Sequence, residues 1–423
     1  MRSSDSGTIH IIGAGLAGLA AGVRLADRGR AIIIHEATEQ PGGRCRSYYD
    51  ETTGMLIDNG THLVLSGNHD ARAFARKIGT EARLEGPAAA DFPFVDLATN
   101  KRWTLQFGNG FFPWWIFDKH RRVPQTSVFD YLSLARLAWA STDKPLGEVI
   151  SDAGPLYKRL ISPFLLAALN IEPLNASSKL AAALIRETLA QGGKACRPLM
   201  AREGIGNVFI EPAVNYLRQR GVTVSFKHEL HGLRFADHRV LELDFGDEVV
   251  SLGENDTVIL AVPAYAADRL VPDLQAPSSF RPIVNVHFRV DSPHSFPPMI
   301  GVVNGTSDWI FSTPGRISVT VSDAERLSRM PREAIAREIW KDVAAVMKLP
   351  IELPPWQIVR ERRATFAATP EENAKRPQAE TEWDNLFLAG DWTATGLPAT
   401  LEGAIRSGNR AADLVKLNRQ IAA

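Results

Sequence analysis

The stretch Thr8-Ile9-His10-Ile11-Ile12-Gly13-Ala14-Gly15-Leu16-Ala17-Gly18, continued by LAAGVRLADRG to Gly29, decides the fold. A short apolar run, a cluster of glycines and then apolar residues at helical spacing read as strand, tight turn and helix. Gly29 suits the helix C-cap, and the second run Ala31-Ile32-Ile33-Ile34-His35-Glu36 completes a parallel βαβ unit. Within it Gly13 permits the turn, Gly15 lets the backbone approach a pyrophosphate, and Gly18 lets the helix pack on the strand. The helix start at Leu16 and Ala17 offers free N–H groups and a partial positive charge to phosphates. Glu36 closes the second strand, about 20 residues on, where a carboxylate accepts hydrogen bonds from ribose hydroxyls and disfavours a 2′-phosphate.

The segment that follows sharpens the choice of dinucleotide. Pro41-Gly42-Gly43-Arg44 sets two small residues and a fixed positive charge where the second strand hands over to a loop, and a guanidinium there neutralises a pyrophosphate bidentately. A surface salt bridge is the plainer reading of Arg44. Near the other end, Ala389-Gly390-Asp391 ends an apolar run with a carboxylate suited to a polyol hydroxyl, although such an aspartate is more often a turn or cap residue. Gly396 to Ala404 then opens a helix whose positive end faces a developing negative charge.

Outward from these motifs the chain alternates in character. Helical segments such as Val128 to Trp139 and Leu156 to Leu169 dominate about residues 70 to 200. The α/β rhythm returns in the helix Glu211 to Arg220 and the runs Gly221 to Val224 and Asp256 to Pro263, and closes with Leu386 to Asp391 and a helix from Thr400 to about Leu417. A strand at Val284 to Val290 and a helix at Arg332 to Met347 lie in a second insertion. The expected fold class is α/β: a Rossmann-like dinucleotide-binding domain from 1–70, 203–280 and 373–423, with an inserted α+β substrate-binding domain. That second domain takes 71–202, mainly helical, and 281–372, strand plus helix.

Of the 423 residues, 45% are hydrophobic and 23% charged, proportions of a globular chain that exclude general disorder. The 48 Lys and Arg cancel the 48 Asp and Glu, so no overall basic field draws the molecule to nucleic acid. Two cysteines, Cys45 and Cys196, make neither a disulfide framework nor a four-cysteine zinc site, and no histidine spacing suits a metal. A polar lead-in at Met1 to Gly7 without signal-peptide order, and no run near the ~18 apolar residues of a spanning helix, predict a cytoplasmic protein whose membrane contact is peripheral.

The quoted glycine and Pro-Gly-Gly-Arg-Cys segments, Asp58-Asn59-Gly60-Thr61-His62, CRPLMAREGIGNVFIEPAVNYL (196–217) and GDWTATGLPATLEGAIRSG (390–408) together resemble the FAD-dependent amine oxidase and phytoene desaturase superfamily. Within it the last three are similar to the squalene-associated flavoproteins of bacterial hopanoid synthesis, which are hydroxysqualene dehydroxylases. The resemblance implies non-covalent FAD. It implies pyrophosphate contacts from Gly13, Gly15, Ala17 and Arg44, with Leu16, Gly18, Gly42 and Gly43 shaping the cradle, and ribose contact from Glu36. It further implies an adenine-side backbone contact at Leu230, in place of the family's valine in a middle strand, with Ala261 and Thr61 also at the cofactor. Gly390 and Asp391 would hold the ribityl chain, and Thr400, Leu401 and Ala404 would lie along the flavin's pyrimidine edge.

The reaction so implied ionises an allylic C–OH bond with acid help and carries hydride from reduced flavin to that carbon, giving squalene and water. His62 either donates a proton, orients a water, or is simply hydrogen-bonded to backbone or cofactor; His69 is a second candidate. Asp58 reads as a structural cap and Cys45 as a small buried thiol. Competing functions are an oxidative isoprenoid desaturase, an amine oxidase, and a flavin-free prenyl-lipid binding protein. A long isoprenoid is the expected substrate partner, with squalene and hopanoid pathway enzymes as further candidate partners. The aromatic run Phe111 to Phe117, followed by Lys119-His120-Arg121-Arg122, is either an interfacial foot or part of a core or tunnel wall.

Overall fold

The computed structural model describes residues 7–415 apart from 109, 111, 140 and 141; the lead-in at Met1 to Ser6, Phe111 and positions 416 and 417 of the expected terminal helix lie outside it. β1 (Ile9–Ile12), α1 (Leu16–Leu25) and β2 (Ile32–His35) form the expected βαβ unit. α1 stops before the residue expected to cap it. Ala26 is the C-cap, and Gly29, with φ 78°, instead turns the chain into β2.

β1 and β2 are central in a five-stranded sheet ordered Thr223–Ser225, β2, β1, Thr257–Leu260, Leu386–Leu388, and every pair in it is parallel. Three separated stretches of chain therefore build one sheet. Burial on both faces explains why its strands read as unbroken apolar runs rather than alternating ones. The terminal helix Leu401–Leu414 crosses α1 so closely that a Cβ on Gly408 would lie 2.1 Å from the Ala17 carbonyl oxygen.

A second, seven-stranded sheet draws on both insertions. Its order is Trp356–Phe366, Phe280–Arg289, Arg316–Val321, Trp309–Thr313, Met299–Val303, Asp91–Asp96, Lys101–Gln106. The hairpin Asp91–Gln106 lies in the stretch read as mainly helical. Its alternation is weak, because Pro93 interrupts the first strand and exposed Lys101, Arg102 and Thr104 fill the edge strand. On one face of this sheet the helix Arg332–Met347 buries Ile335, Ile339, Trp340 and Val343 against Val284, Val286 and Phe288. The opposite face of the same strand carries Asn285 and His287, both buried, because successive side chains alternate. A three-stranded meander at Gly232–Ala236, Arg239–Asp244 and Val249–Ser251, not legible beforehand, follows Leu230, which sits in a connection and not in a strand.

Candidate functional site

Four neighbouring parallel strands end at one level. Ile12 pairs with His35 and with Leu260, and Leu260 with Leu388, so Gly13, Glu36, Ala261 and Ala389 each stand one residue past a carboxyl end. The ladder runs one step further through Gly13 N–H to His35 O (2.7 Å), Ala261 N–H to Ile12 O (2.8 Å) and Ala389 N–H to Leu260 O (3.0 Å). Such a crevice is where open parallel sheets take ligands.

Space in this crevice is kept by glycines. Gly13 adopts φ 106° and a Cβ there would lie 2.6 Å from the Ala261 carbonyl oxygen; a Cβ on Gly18 would lie 2.0 Å from the Gly13 oxygen. These two fix the strand-to-helix packing. A Cβ on Gly15, in contrast, would meet nothing within 4 Å, so the backbone surface there is open. The Pro-Gly-Gly-Arg-Cys segment walls the opening, with Gly42 N–H donating to Ala14 O at 2.8 Å and left-handed backbone at Gly42 and Gly43 (φ 106° and 53°). No side chain caps α1, which leaves the first-turn amides at Leu16 and Ala17 for an anion.

Glu36 is buried and already accepts hydrogen bonds from Ala14 N–H on Oε2 (2.9 Å) and from Thr38 N–H and Oγ1 on Oε1 (3.0 and 2.8 Å). A carboxylate has about four lone-pair positions, so Oε2 keeps one for a hydroxyl. Leu230 comes close by, since His228 N–H donates to Glu36 O at 2.9 Å, and its own N–H and C=O enter no backbone hydrogen bond among the described residues.

Arg44 and Asp391, expected at successive parts of one cofactor, are brought together directly. Arg44 Nη2 donates to Asp391 Oδ1 at 2.7 Å and Nη1 to the Ala364 carbonyl at 2.5 Å. Asp391 is buried, and the turn that holds it is braced by Arg376, which donates to the carbonyl oxygens of Asp391 and Trp392 at 3.2 and 3.4 Å. Burial lowers the Arg376 guanidinium to about 10. Gly390 N–H donates to Ser407 Oγ at 2.6 Å, tying this turn to the terminal helix. Thr400 caps that helix by accepting from Gly403 N–H at 3.1 Å, with Leu401 and Ala404 in its first turn.

The Asp58 to His62 segment completes the site. Asp58 is structural: buried, its Oδ1 accepts from Ser47 Oγ at 2.5 Å and from Ile205 N–H at 2.9 Å. The Oγ1 of Thr61 is buried without a hydrogen-bond partner. His62 is half-buried, and its Nδ1 lies 2.7 Å from Gly60 O; a carbonyl only accepts, so the proton is on Nδ1 and Nε2 carries the lone pair. Burial holds the His62 pKa below the ordinary histidine value, partly offset by that bond and by Asp58. His69 is exposed at the start of the helix His69–Lys77. Cys45 is buried, and burial pushes its thiol up to about 12, so it stays protonated.

Sequence reasoning missed the two residues beneath this loop. His287 donates from Nε2 to Asp58 O at 3.0 Å and accepts on Nδ1 from Ser318 Oγ at 2.8 Å. Asn285 accepts from Thr61 N–H at 3.4 Å and donates to Asn59 O at 3.4 Å. Their signal was present as two polar residues at alternate positions of an apolar strand. Glu402 was also missed. Buried, it accepts from the amides of Asp70 and Ala71 at 3.0 and 2.8 Å and so joins the terminal helix to the helix His69–Lys77.

The open backbone at Gly15, the free carboxylate position on Glu36 and the unpartnered Thr61 hydroxyl fit an FAD laid along this crevice. Residues 16–416 match the family model described as flavin containing amine oxidoreductase. The chain is 56% identical over 411 residues to a hydroxysqualene dehydroxylase of Rhodopseudomonas palustris, covering 97% of this chain and 98% of that one. It is 54% identical to a hydroxysqualene dehydroxylase of Sinorhizobium fredii, covering 96% and 97%. Among solved structures, the cyclohexylamine oxidase of Brevibacterium oxydans superposes with a TM-score of 0.70 at 16% identity, covering 97% and 98%, a likeness of fold.

Proposed function

The chain belongs to the flavin-containing amine oxidoreductases and, within them, to the hydroxysqualene dehydroxylases, and on that footing we propose that it reductively removes the allylic hydroxyl of hydroxysqualene. The observation that carries this is the near-full-length identity to two dehydroxylases, joined to a crevice whose residues fit FAD. The balance is simple: the C–O bond breaks, a proton joins the leaving hydroxyl to make water, and a hydride equivalent reaches the carbon.

Reduced FAD, when bound, would supply that hydride, with an external reductant restoring its two electrons. The turn from Gly13 through Ala17 and Arg44 would hold its pyrophosphate, Glu36 and Leu230 its adenosine end, and Asp391 its ribityl chain. Thr400, Leu401 and Ala404 form the positive end of a 14-residue helix, which would lie along the pyrimidine edge. Cys45 is buried and its thiol protonated, which disfavours it as a covalent anchor and is in keeping with a non-covalently held cofactor.

His62 is the proton-handling group of this reading. Its Nδ1–H is committed to Gly60 O, so exchange takes place at Nε2. A lowered pKa makes the imidazolium scarce at neutral pH but a stronger acid toward a departing hydroxyl.

The test is anaerobic incubation of the purified protein with hydroxysqualene and a chemical reductant for the flavin. Squalene is the expected product. Its absence overturns the reductive assignment, and protein that purifies colourless and takes up no FAD favours a lipid-binding role.

A further inference from the structure

The segment 112–139 exposes its large side chains. Phe112, Trp114 and Phe117 are 51%, 71% and 55% exposed, and their rings cluster, with centroids 4.4 Å apart for Phe112 and Trp114 and 6.0 Å for Trp114 and Phe117. The cluster is anchored from beneath. Between its members Trp115 turns inward and packs edge-on against Phe107 and Tyr131 at 5.1 and 5.3 Å, while Tyr131 Oη accepts from Val123 N–H at 3.0 Å.

Tyr131 belongs to a second short turn, Val128–Tyr131, which leads into the helix Leu132–Ala138. Phe129, Leu132 and Trp139 there are 80%, 56% and 79% exposed. With exposed Arg136 they are spaced three, four and three apart, one face of a helical path that shows apolar side chains to solvent instead of burying them. An apolar face displayed in this way marks a contact surface.

Charge says what kind. Lys119 and His120 are exposed and Arg121 and Arg122 half-buried beside the ring cluster, and none of Lys119, Arg121, Arg122 or Arg136 forms a salt bridge among the described residues. Within 112–139 the acidic residues are Asp118 and Asp130, which accept from His120 N–H at 2.9 Å and Ser127 N–H at 2.7 Å, and against Lys119, Arg121, Arg122 and Arg136 they leave the segment a formal charge of +2. Arg121 donates to the Gln106 carbonyl at 3.0 Å, and projecting Trp and Phe rings in one segment with cations that have no carboxylate partner match the layered chemistry of an anionic bilayer, phosphate outside and hydrocarbon beneath. A protein partner of ordinary composition would call for paired acidic contacts at fixed positions, and this surface offers rings at its tips and cations at its rim.

We infer that this face docks the protein on an anionic lipid bilayer, with the aromatic tips at headgroup depth and the cations against lipid phosphates. Docking is separate from turnover, so its failure leaves the proposed reaction untouched.

Flavin-loaded full-length protein is mixed with sedimentable phosphatidylcholine vesicles, with or without phosphatidylglycerol, and the bound fraction is read from the pellet. The wild type is expected to pellet with anionic vesicles and to be released by salt. The Trp114→Ser, Phe117→Ser double variant should bind about tenfold more weakly. Lys119→Gln should bind about fivefold more weakly at low salt and respond less to phosphatidylglycerol. Unchanged flavin absorbance and melting temperature in these surface variants show that folding is preserved. Equal pelleting of wild type and double variant, or equal pelleting with and without phosphatidylglycerol, overturns the inference. So does a wild type that ignores vesicles but is a dimer which the double variant dissociates, the mark of a self-association face.

Discussion

Arg44 donates to Asp391 across 2.7 Å, joining the loop after the second strand of the parallel sheet to the turn after its last, 347 residues apart in the chain. The pair is asymmetric: Asp391 is buried while the Arg44 side chain is 39% exposed.

Asp391→Asn keeps the shape and removes the charge. It is expected to weaken FAD retention by about tenfold or more, the scale of losing one charge-assisted hydrogen bond worth roughly 1.5–3 kcal/mol. Equilibrium dialysis of FAD against both proteins checks this, and equal affinities remove Asp391 from the cofactor site.

Glu36→Ala should lower FAD affinity by a similar factor, but for two reasons. It deletes the ribose acceptor, and it frees the Ala14 amide that Glu36 now holds at 2.9 Å, loosening the turn above Gly15. Glu36→Gln separates them, because a carboxamide oxygen retains one acceptor. An affinity between those of Glu36→Ala and wild type is expected, and full wild-type affinity in the alanine variant shows the ribose contact misassigned.

His62→Ala is expected to leave flavin content normal and to slow turnover by about two to four powers of ten. The pH profile adds a sign. Since the folded pKa lies below 6.5, the acid form grows only as pH falls below that value, so the wild-type rate should rise toward acid and the alanine variant should lack the rise. Single-turnover measurements on pre-reduced enzyme give both readouts; a near-wild-type rate leaves His62 structural.

Much of this was legible because local chemistry dictates it. Gly13, Gly15 and Gly18 act through backbone sterics within one turn, and a parallel sheet buried on both faces shows itself as unbroken apolar runs. The hairpin Asp91–Gln106 was hidden because an edge strand tolerates Pro93 and exposed charge. Asn285, His287 and Glu402 were hidden for another reason: each acts on backbone far away in the chain, at Asp58, Asn59 and the amides of Asp70 and Ala71, and no local pattern encodes such a partner.

A file of histidines beneath the same carboxyl end of the sheet makes stability pH-dependent. His35 lies between His10 (3.1 Å) and His228 (2.9 Å), and burial followed by the two neighbouring imidazoles lowers it to about 3. Unfolded, it titrates near 6.5. A base depressed in the fold contributes stability above the unfolded pKa and loses it as pH falls, here through the window from about 6.5 to about 3. The loss is about 1 kcal/mol per pH unit for this one group. Melting temperature measured from pH 7 to pH 5 should fall less steeply for His35→Asn than for wild type, and parallel curves exclude the file as a source of acid sensitivity.

His287 titrates in the same direction, lowered to about 3 by burial and then by Arg316, so stability alone does not separate it from His35. Its position does. His287 fixes the Asp58 carbonyl, and Asn285 beside it fixes Thr61 and Asn59, so the pair positions the loop that ends in His62. His287→Ala leaves a buried carbonyl and the Ser318 hydroxyl without their partner, at a cost of about 1–3 kcal/mol. The melting temperature should fall and turnover should fall with it, and because His62 loses its placement, the acid rise in rate should flatten at unchanged FAD affinity. His35→Asn should shift the melting curve and leave the rate profile alone. A His287→Ala enzyme that melts earlier yet keeps the full acid rise would show that the strand supports the fold without setting the loop.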